Sequence, residues 1–117
     1  MINKPIEVYI TSVVSANEID NFALTTCLIK ESLKILNNHF VDMLVLEKTD
    51  KNTIPRSAGY FFDNQSKLDE TTTFPVINCT ITETIWLKID DYGDKYIATF
   101  LYPSDYWNYE KHIIYQI

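Results

Sequence analysis

The spacing of apolar and polar residues divides the first third of the chain into a strand and a helix. Residues 6–14 are rich in β-branched side chains and predict a strand. Apolar side chains then recur at three- and four-residue steps from Ile19 to Leu36, which predicts an amphipathic helix that ends near Asn38. Ser15 and Glu18 match a capping box, so the helix is expected to begin at Ser15. A helix of about 23 residues would run roughly 35 Å.

The pattern after the helix predicts a second strand and then a long irregular segment. Residues 40–47 are almost continuously apolar, which fits either a strand covered on both faces or a continuation of the helix. Residues 48–75 are polar and are interrupted by Pro55 and Gly59. The aromatic residues 60–62 are a candidate short strand within this segment.

Residues 76–90 alternate between apolar and polar side chains and predict a strand with one face in the core. Glu83 interrupts the apolar face. It therefore marks either a bulge that turns its side chain outwards or a functional carboxylate. Residues 90–94 have the composition of a hairpin turn, and residues 95–102 and 111–117 predict the last two strands.

This order of elements predicts an α+β fold in a single domain, residues 1–117. One long N-terminal helix is expected to pack on a curved antiparallel sheet of about five to six strands. The order resembles the cystatin-like and nuclear-transport-factor-like rolls, which implies a curved sheet that embraces one helix. The Gln-x-Val-x-Gly loop of cystatins is absent, so the resemblance does not imply protease inhibition. A two-layer sandwich with a flatter sheet is the alternative architecture.

Composition and charge narrow the classes of function. The net charge of −6 opposes nucleic-acid binding, which needs Lys and Arg to neutralise phosphates. The same charge suits the approach of a basic protein partner. Neither a basic leader with an apolar run nor an apolar segment of ~20 residues occurs, so we expect no membrane association and a cytoplasmic location. Cys27 and Cys79 are then expected to be reduced thiols.

The residue types needed for catalysis or metal binding occur in unsuitable patterns. Cys27 lies beside the apolar stripe of the helix and Cys79 on the apolar face of its strand, where cysteine usually serves as a small hydrophobic residue. His39 and His112 lack zinc-site spacing, and the acidic residues around Gly93 lack the spacing of a calcium loop. We therefore expect no catalytic residue, no cofactor and no metal, and the chain is not expected to be an enzyme. Glu83 is the one candidate for acid–base chemistry, provided that it is buried.

Residues 102–110 combine four aromatic rings and two carboxylates without a basic residue. Aromatic side chains are enriched where proteins bind one another, and neighbouring carboxylates favour a cationic partner. The same rings would equally serve to cap the open end of a roll, with Ser104 as the N-cap of a short helix. Trp86 and Tyr92 extend the aromatic surface if their side of the sheet is open. The candidate partner-binding residues are Asp91, Asp94, Asp105, Tyr106, Trp107, Tyr109 and Glu110.

These features favour a small acidic inhibitor that binds a basic protein. The closest biological class is a bacterial immunity protein that occludes the basic surface of a cognate toxin, such as a nuclease domain. A phage-encoded inhibitor of a host defence protein is an alternative. A second alternative is a small-ligand-binding protein or enzyme of the nuclear-transport-factor type, with an apolar cone and Glu83 at its base. A homodimer formed through an exposed sheet face is compatible with each of these.

Overall fold

The computed structural model describes residues 4–18, 22–58, 74–106 and 111–116. These residues form a mixed α+β fold with six strands and two α-helices. The strands are β1 (Ile6–Thr11), β2 (Met43–Lys48), β3 (Thr53–Ser57), β4 (Ile85–Asp91), β5 (Tyr96–Leu101) and β6 (Lys111–Gln116). The helices are α1 (Ser12–Glu18) and α2 (Phe22–Asn38), and a 3-10 helix covers Pro103–Asp105.

The six strands form one sheet in the order β3-β2-β4-β5-β1-β6. Strand β1 runs parallel to β5, whereas the other neighbouring pairs in the described part of the sheet are antiparallel. The prediction of a wholly antiparallel sheet was therefore wrong at this one pair. Strand β2 also runs parallel to β1, with β4 and β5 between them, so the helices form a crossover connection. Periodicity along one strand carries no information about its neighbour, which is why the sequence did not predict this pairing.

The structure shows two helical segments, of 7 and 17 residues, where one long helix was predicted. Residues 19–21, between the two segments, lie outside the described residues. Helix α1 begins at Ser12 rather than at Ser15, and strand β1 accordingly ends at Thr11. Thr11 caps the helix, because its Oγ1 accepts a hydrogen bond from the amide of Val14 at 3.4 Å. The capping box predicted at Ser15 is therefore not the start of the helix.

One face of the sheet and the helices enclose the hydrophobic core. On strand β1 the inward side chains are Ile6, Val8 and Ile10, and each of them is at most 2% exposed. Helix α2 contributes Leu36, which is fully buried. Burying one large aliphatic side chain stabilises the folded state by about 1.5–3 kcal/mol, so this shared face is the main source of stability. The other core residues include Leu28, Ile35, Phe40, Leu44, Leu46, Leu87, Ile89, Tyr96 and Phe100.

Strand β3 lies in the segment that was predicted to be irregular. It contains Pro55, which has no amide hydrogen and is tolerated because β3 is at the edge of the sheet. Part of its outer edge is covered, since Thr53 and Ile77 exchange two backbone hydrogen bonds of 2.9 Å. The candidate strand at residues 60–62 lies outside the described residues.

The strand predicted over residues 76–90 forms only from Ile85 onwards. Burial nevertheless follows the predicted alternation, since Ile77 and Ile81 are buried at 1% exposure. Glu83 is exposed, which agrees with the prediction that the chain turns its side chain outwards at this point. It cannot then form the base of an apolar cone. The hairpin predicted at residues 90–94 joins β4 and β5, with Gly93 at a φ of 91°.

The described helices are too short or too polar to cross a membrane. Cys27 and Cys79 form no disulfide with each other, and each packs partly buried against the core. This position agrees with their expected role as small hydrophobic residues.

We predict that Ser32→Ala leaves stability unchanged or raises it by about 1 kcal/mol. Ser32 lies fully buried on helix α2, and its Oγ has no hydrogen-bond partner among the described residues. Alanine removes this unsatisfied hydroxyl and has the higher helix propensity. Urea denaturation of both proteins measures the difference.

Thr53→Val is the matched control, because the buried Thr53 Oγ1 donates a hydrogen bond of 2.7 Å to the carbonyl of Cys79. Its loss is expected to destabilise the protein by about 1–3 kcal/mol. A loss of similar size in Ser32→Ala would contradict the assignment of an unsatisfied hydroxyl.

Candidate protein-binding surface

The side of the sheet opposite the core carries a second set of side chains, which we call the outer face. Alternation along each strand places every second residue there, and the cross-strand register aligns them. Trp86, for example, lies opposite Val45 on one side and Leu101 on the other. The outer-face residues of β1–β5 are Glu7, Tyr9, Met43, Val45, Glu47, Ile54, Arg56, Trp86, Lys88, Asp90, Ile97, Thr99 and Leu101. The three on β5, which are Ile97, Thr99 and Leu101, are buried.

An aromatic pair, Trp86 and Tyr106, lies on this outer face. The two rings meet edge to face, with centroids 5.8 Å apart and planes at 75°. The Nζ atom of Lys88 lies 5.5 Å from the centre of the Tyr106 ring and 3.5 Å from Oδ2 of Asp90. All four side chains are half-buried. Edge-to-face aromatic pairs contribute about 0.5–1.5 kcal/mol beyond burial, so the pair is a preformed feature of the surface.

The 3-10 helix carries the chain from the end of β5 to Tyr106. Pro103 occupies its first position, and the amide of Tyr106 donates to the Pro103 carbonyl at 3.3 Å. The sequence predicted Ser104 as an N-cap here, whereas the N-cap is Tyr102 and makes no side-chain cap. Tyr102 is buried at 1% exposure, and its hydroxyl lies 3.0 Å from Oγ1 of Thr82. Tyr102 therefore anchors the segment in the core, and Tyr106 reaches the surface.

Asp105 takes part in an internal contact. The Thr11 hydroxyl donates a hydrogen bond of 3.4 Å to Oδ2 of Asp105. Because Thr11 also caps helix α1, this contact ties the 3-10 helix to the junction of β1 and α1. Asp105 is half-buried, so only part of its carboxylate faces solvent.

The turn between β4 and β5 carries Asp91, Tyr92 and Asp94 in exposed positions, and Tyr92 is 59% exposed. The Lys4 ammonium donates to Oδ1 of Asp91 at 2.5 Å and to the carbonyl of Gly93 at 2.8 Å. These bonds lower the pKa of Asp91, first through Lys4 and then through the Gly93 amide, which donates to the same oxygen. Lys4 therefore links the N-terminal segment to this turn, and one of the turn's carboxylates already has a cation beside it.

A third group of polar side chains lies where β1 and β5 meet on the outer face. The Tyr9 hydroxyl donates to Oε1 of Glu7 at 3.0 Å, and Nζ of Lys95 lies 3.2 Å from the same oxygen. These hydrogen bonds to the Glu7 carboxylate are the largest cause of the raised pKa of both Tyr9 and Lys95. Glu7 thus holds two neighbouring side chains in fixed positions.

The structure divides the predicted binding residues into two groups. Asp91 and Asp94 lie at the turn that precedes β5, whereas Asp105 and Tyr106 follow its other end. A strand of this length spans roughly 20 Å, so the two groups lie at opposite ends of the sheet. The remaining predicted residues, Trp107, Tyr109 and Glu110, lie outside the described residues. Lys88 and Asp90 were not predicted as binding residues, although they follow Trp86 by two and four residues, which places all three on one face of the strand.

Comparisons with known proteins add no further assignment. A scan of protein-family models, a search of curated proteins and a search of solved structures each found no match to this chain. In the part of the chain that the structure describes, no three His, Cys, Asp or Glu side chains gather into a metal-binding group.

We predict that Asp91→Asn lowers stability at neutral pH and that the difference from the parent protein disappears in acid. Because Lys4 depresses the folded-state pKa of Asp91, its contribution is complete above the pKa of the unfolded chain, about 4. The contribution is then lost as the pH falls through the depressed folded-state pKa. Thermal unfolding of both proteins between neutral and acidic pH measures the effect.

Asp94→Asn is the matched control, because it removes an exposed carboxylate from the same turn. An Asp91→Asn variant that matches Asp94→Asn at every pH would contradict a stabilising role for the Lys4 contact.

Proposed function

We propose that this chain is a small acidic inhibitor that acts by binding another protein. The observation that carries the proposal is the half-buried Trp86–Tyr106 pair on the outer face, 5.8 Å between centroids. Paired aromatic side chains are typical of the residues that contribute most to protein–protein affinity. The net charge of −6 favours a basic partner.

The biological class that fits best is an immunity protein of a bacterium, which neutralises a toxin in the cytoplasm by covering its basic surface. A nuclease domain is a natural target, since its cleft must attract phosphates. A phage-encoded inhibitor of a host defence protein fits the same observations. We also propose that the sheet is curved as in the roll folds and that the chain has no enzymatic activity. The ligand-binding cone is not carried forward, because Glu83, its proposed base residue, is exposed.

The proposed mechanism is occlusion. The acidic charge of the whole chain accelerates encounter with a basic partner, and the buried rings slow release. Asp94 is exposed and available to the partner, whereas Asp91 must exchange its contact with Lys4 for one with a partner cation. Exchange of one surface ion pair for another changes the free energy little. Most of the affinity should therefore come from the aromatic side chains.

Affinity capture with the tagged chain from its native host, followed by mass spectrometry, identifies the partner. Binding of the purified partner is then measured for a variant that combines Asp105→Lys with Tyr106→Ala. We expect at least a tenfold loss of affinity at low salt, because a hot-spot side chain and a favourable charge are removed together.

The matched control combines Asp50→Lys with Val76→Ala, which changes an exposed carboxylate and an exposed apolar side chain that both lie outside the strands of the sheet. It has the same charge change and should bind like the parent protein. Equal binding by the Asp105→Lys and Tyr106→Ala variant at low salt would show that this surface is not the binding site. Circular dichroism confirms that both variants are folded.

A further inference from the structure

The Lys4 ammonium is held by three different groups at the β4–β5 turn. It donates to Oδ1 of Asp91 at 2.5 Å and to the carbonyl of Gly93 at 2.8 Å. Its Nζ atom also lies 4.4 Å from the centre of the Tyr96 ring. A carboxylate, a carbonyl and the face of an aromatic ring are groups that bind an ammonium ion. We call Asp91, Gly93 and Tyr96 the ammonium site, since its occupant identifies its chemistry.

The groups of the ammonium site are also held by contacts that do not involve Lys4. Asp91 and Tyr96 pair directly across β4 and β5, and the Gly93 amide donates to Oδ1 of Asp91 at 2.8 Å. The Tyr96 ring is 6% exposed and meets Phe40 edge to face, with centroids 4.7 Å apart. The site is therefore expected to keep its shape when Lys4 leaves it.

The Lys4 side chain can leave without disturbing the sheet. The carbonyl of Pro5 accepts a hydrogen bond of 2.8 Å from the Tyr96 amide, so the backbone is anchored one residue after Lys4. The side chains of Lys4 and Asp91 are 22% and 46% exposed, which leaves their ion pair open to solvent. A solvent-exposed ion pair contributes little to stability, so another cation can replace Lys4 at small cost.

We infer that the ammonium site binds a lysine side chain of the basic partner, which displaces Lys4. This inference rests on the proposed function, and it names the side chain that the partner presents at the β4–β5 turn. Charge complementarity supports it, because Asp94 is an exposed second carboxylate of the same turn. Lysine suits the site better than arginine. Lys4 and the Gly93 amide both donate to Oδ1 of Asp91, whereas a guanidinium pairs best with both oxygens of a carboxylate.

The site is tested first on the isolated chain with n-butylammonium chloride, which reproduces the end of a lysine side chain. In Lys4→Ala the occupant is removed, so the added ammonium should shift the amide resonances of Gly93 and Tyr96. We expect shifts at least about threefold larger than in the parent chain at equal concentration. In the parent, Lys4 competes for the site at high local concentration. Heteronuclear NMR of the isotope-labelled chain measures the shifts.

Two controls separate specific binding from an effect of salt. Tetramethylammonium chloride carries the same charge but has no N–H group to donate, and adding Asp91→Asn to Lys4→Ala removes the charged acceptor. Each should reduce the shifts at least about threefold. Equal shifts with the two salts, or equal shifts in Lys4→Ala and the parent chain, would overturn the inference.

The second test uses the partner identified by affinity capture. Lys4→Ala should bind it about threefold more tightly than Lys51→Ala, because only Lys4 competes with the partner's lysine. Lys51 is exposed between β2 and β3, so its replacement makes the same charge change elsewhere. Circular dichroism shows that both variants are folded.

Equal affinity of these two variants would overturn the inference and leave the proposed function standing. The proposed function fails on a different result, which is undiminished binding by the variant that combines Asp105→Lys with Tyr106→Ala. The two proposals can therefore fail separately.

Discussion

The backbone hydrogen bonds that join β5 to β4 on one side and to β1 on the other determine the rest of this structure. All six residues of β5 are buried, so this strand is covered on both faces. Its inward side chain Phe100 lies between Leu87 and Ile10, which brings the C-terminal hairpin and the first strand of the chain into one core. Because β1 pairs in parallel with β5, β1 and β2 run in the same direction. The chain must therefore cross from one end of the sheet to the other between them, and the helices make this crossover on the core side of the sheet.

This arrangement also determines where the candidate binding surface lies. With the helices on one side of the sheet, the chain that leaves β5 passes through the 3-10 helix and places Tyr106 against Trp86 on the other side. Internal contacts hold the neighbouring carboxylates, since Asp105 accepts from Thr11 and Asp91 binds Lys4. The surface consequently has an aromatic centre surrounded by charges that are paired with neighbouring side chains. The net negative charge of the chain then acts on a basic partner mainly at longer distances, during encounter.

Local patterns predicted the strands at the two ends of the chain and the β4–β5 hairpin, but not strand β3, the division of the helix or the arrangement of the sheet. The alternation before Asp90 and the turn at Gly93 correctly indicated the β4–β5 hairpin, because both signals depend on adjacent residues. Strand β3 was missed because Pro55 is a strand breaker everywhere except at an edge, and edge positions depend on the sheet order. For the binding surface, the sequence predicted one patch of aromatic and acidic residues, whereas the structure places Asp91 and Asp94 at the opposite end of β5 from Asp105 and Tyr106. Hydrogen bonds to residues distant in sequence, such as that from Lys4 to Asp91, decide which carboxylates are available.

The parallel register of β1 and β5 is the central claim of this account, and nuclear Overhauser contacts between their backbones test it most directly. The structure predicts contacts that advance together along both strands, from Ile6 with Tyr96, through Val8 with Ala98, to Ile10 with Phe100. Contacts that instead pair Ile6 with Phe100 and Ile10 with Tyr96 would show an antiparallel pairing. That result would contradict the sheet order and the crossover of the helices that depends on it.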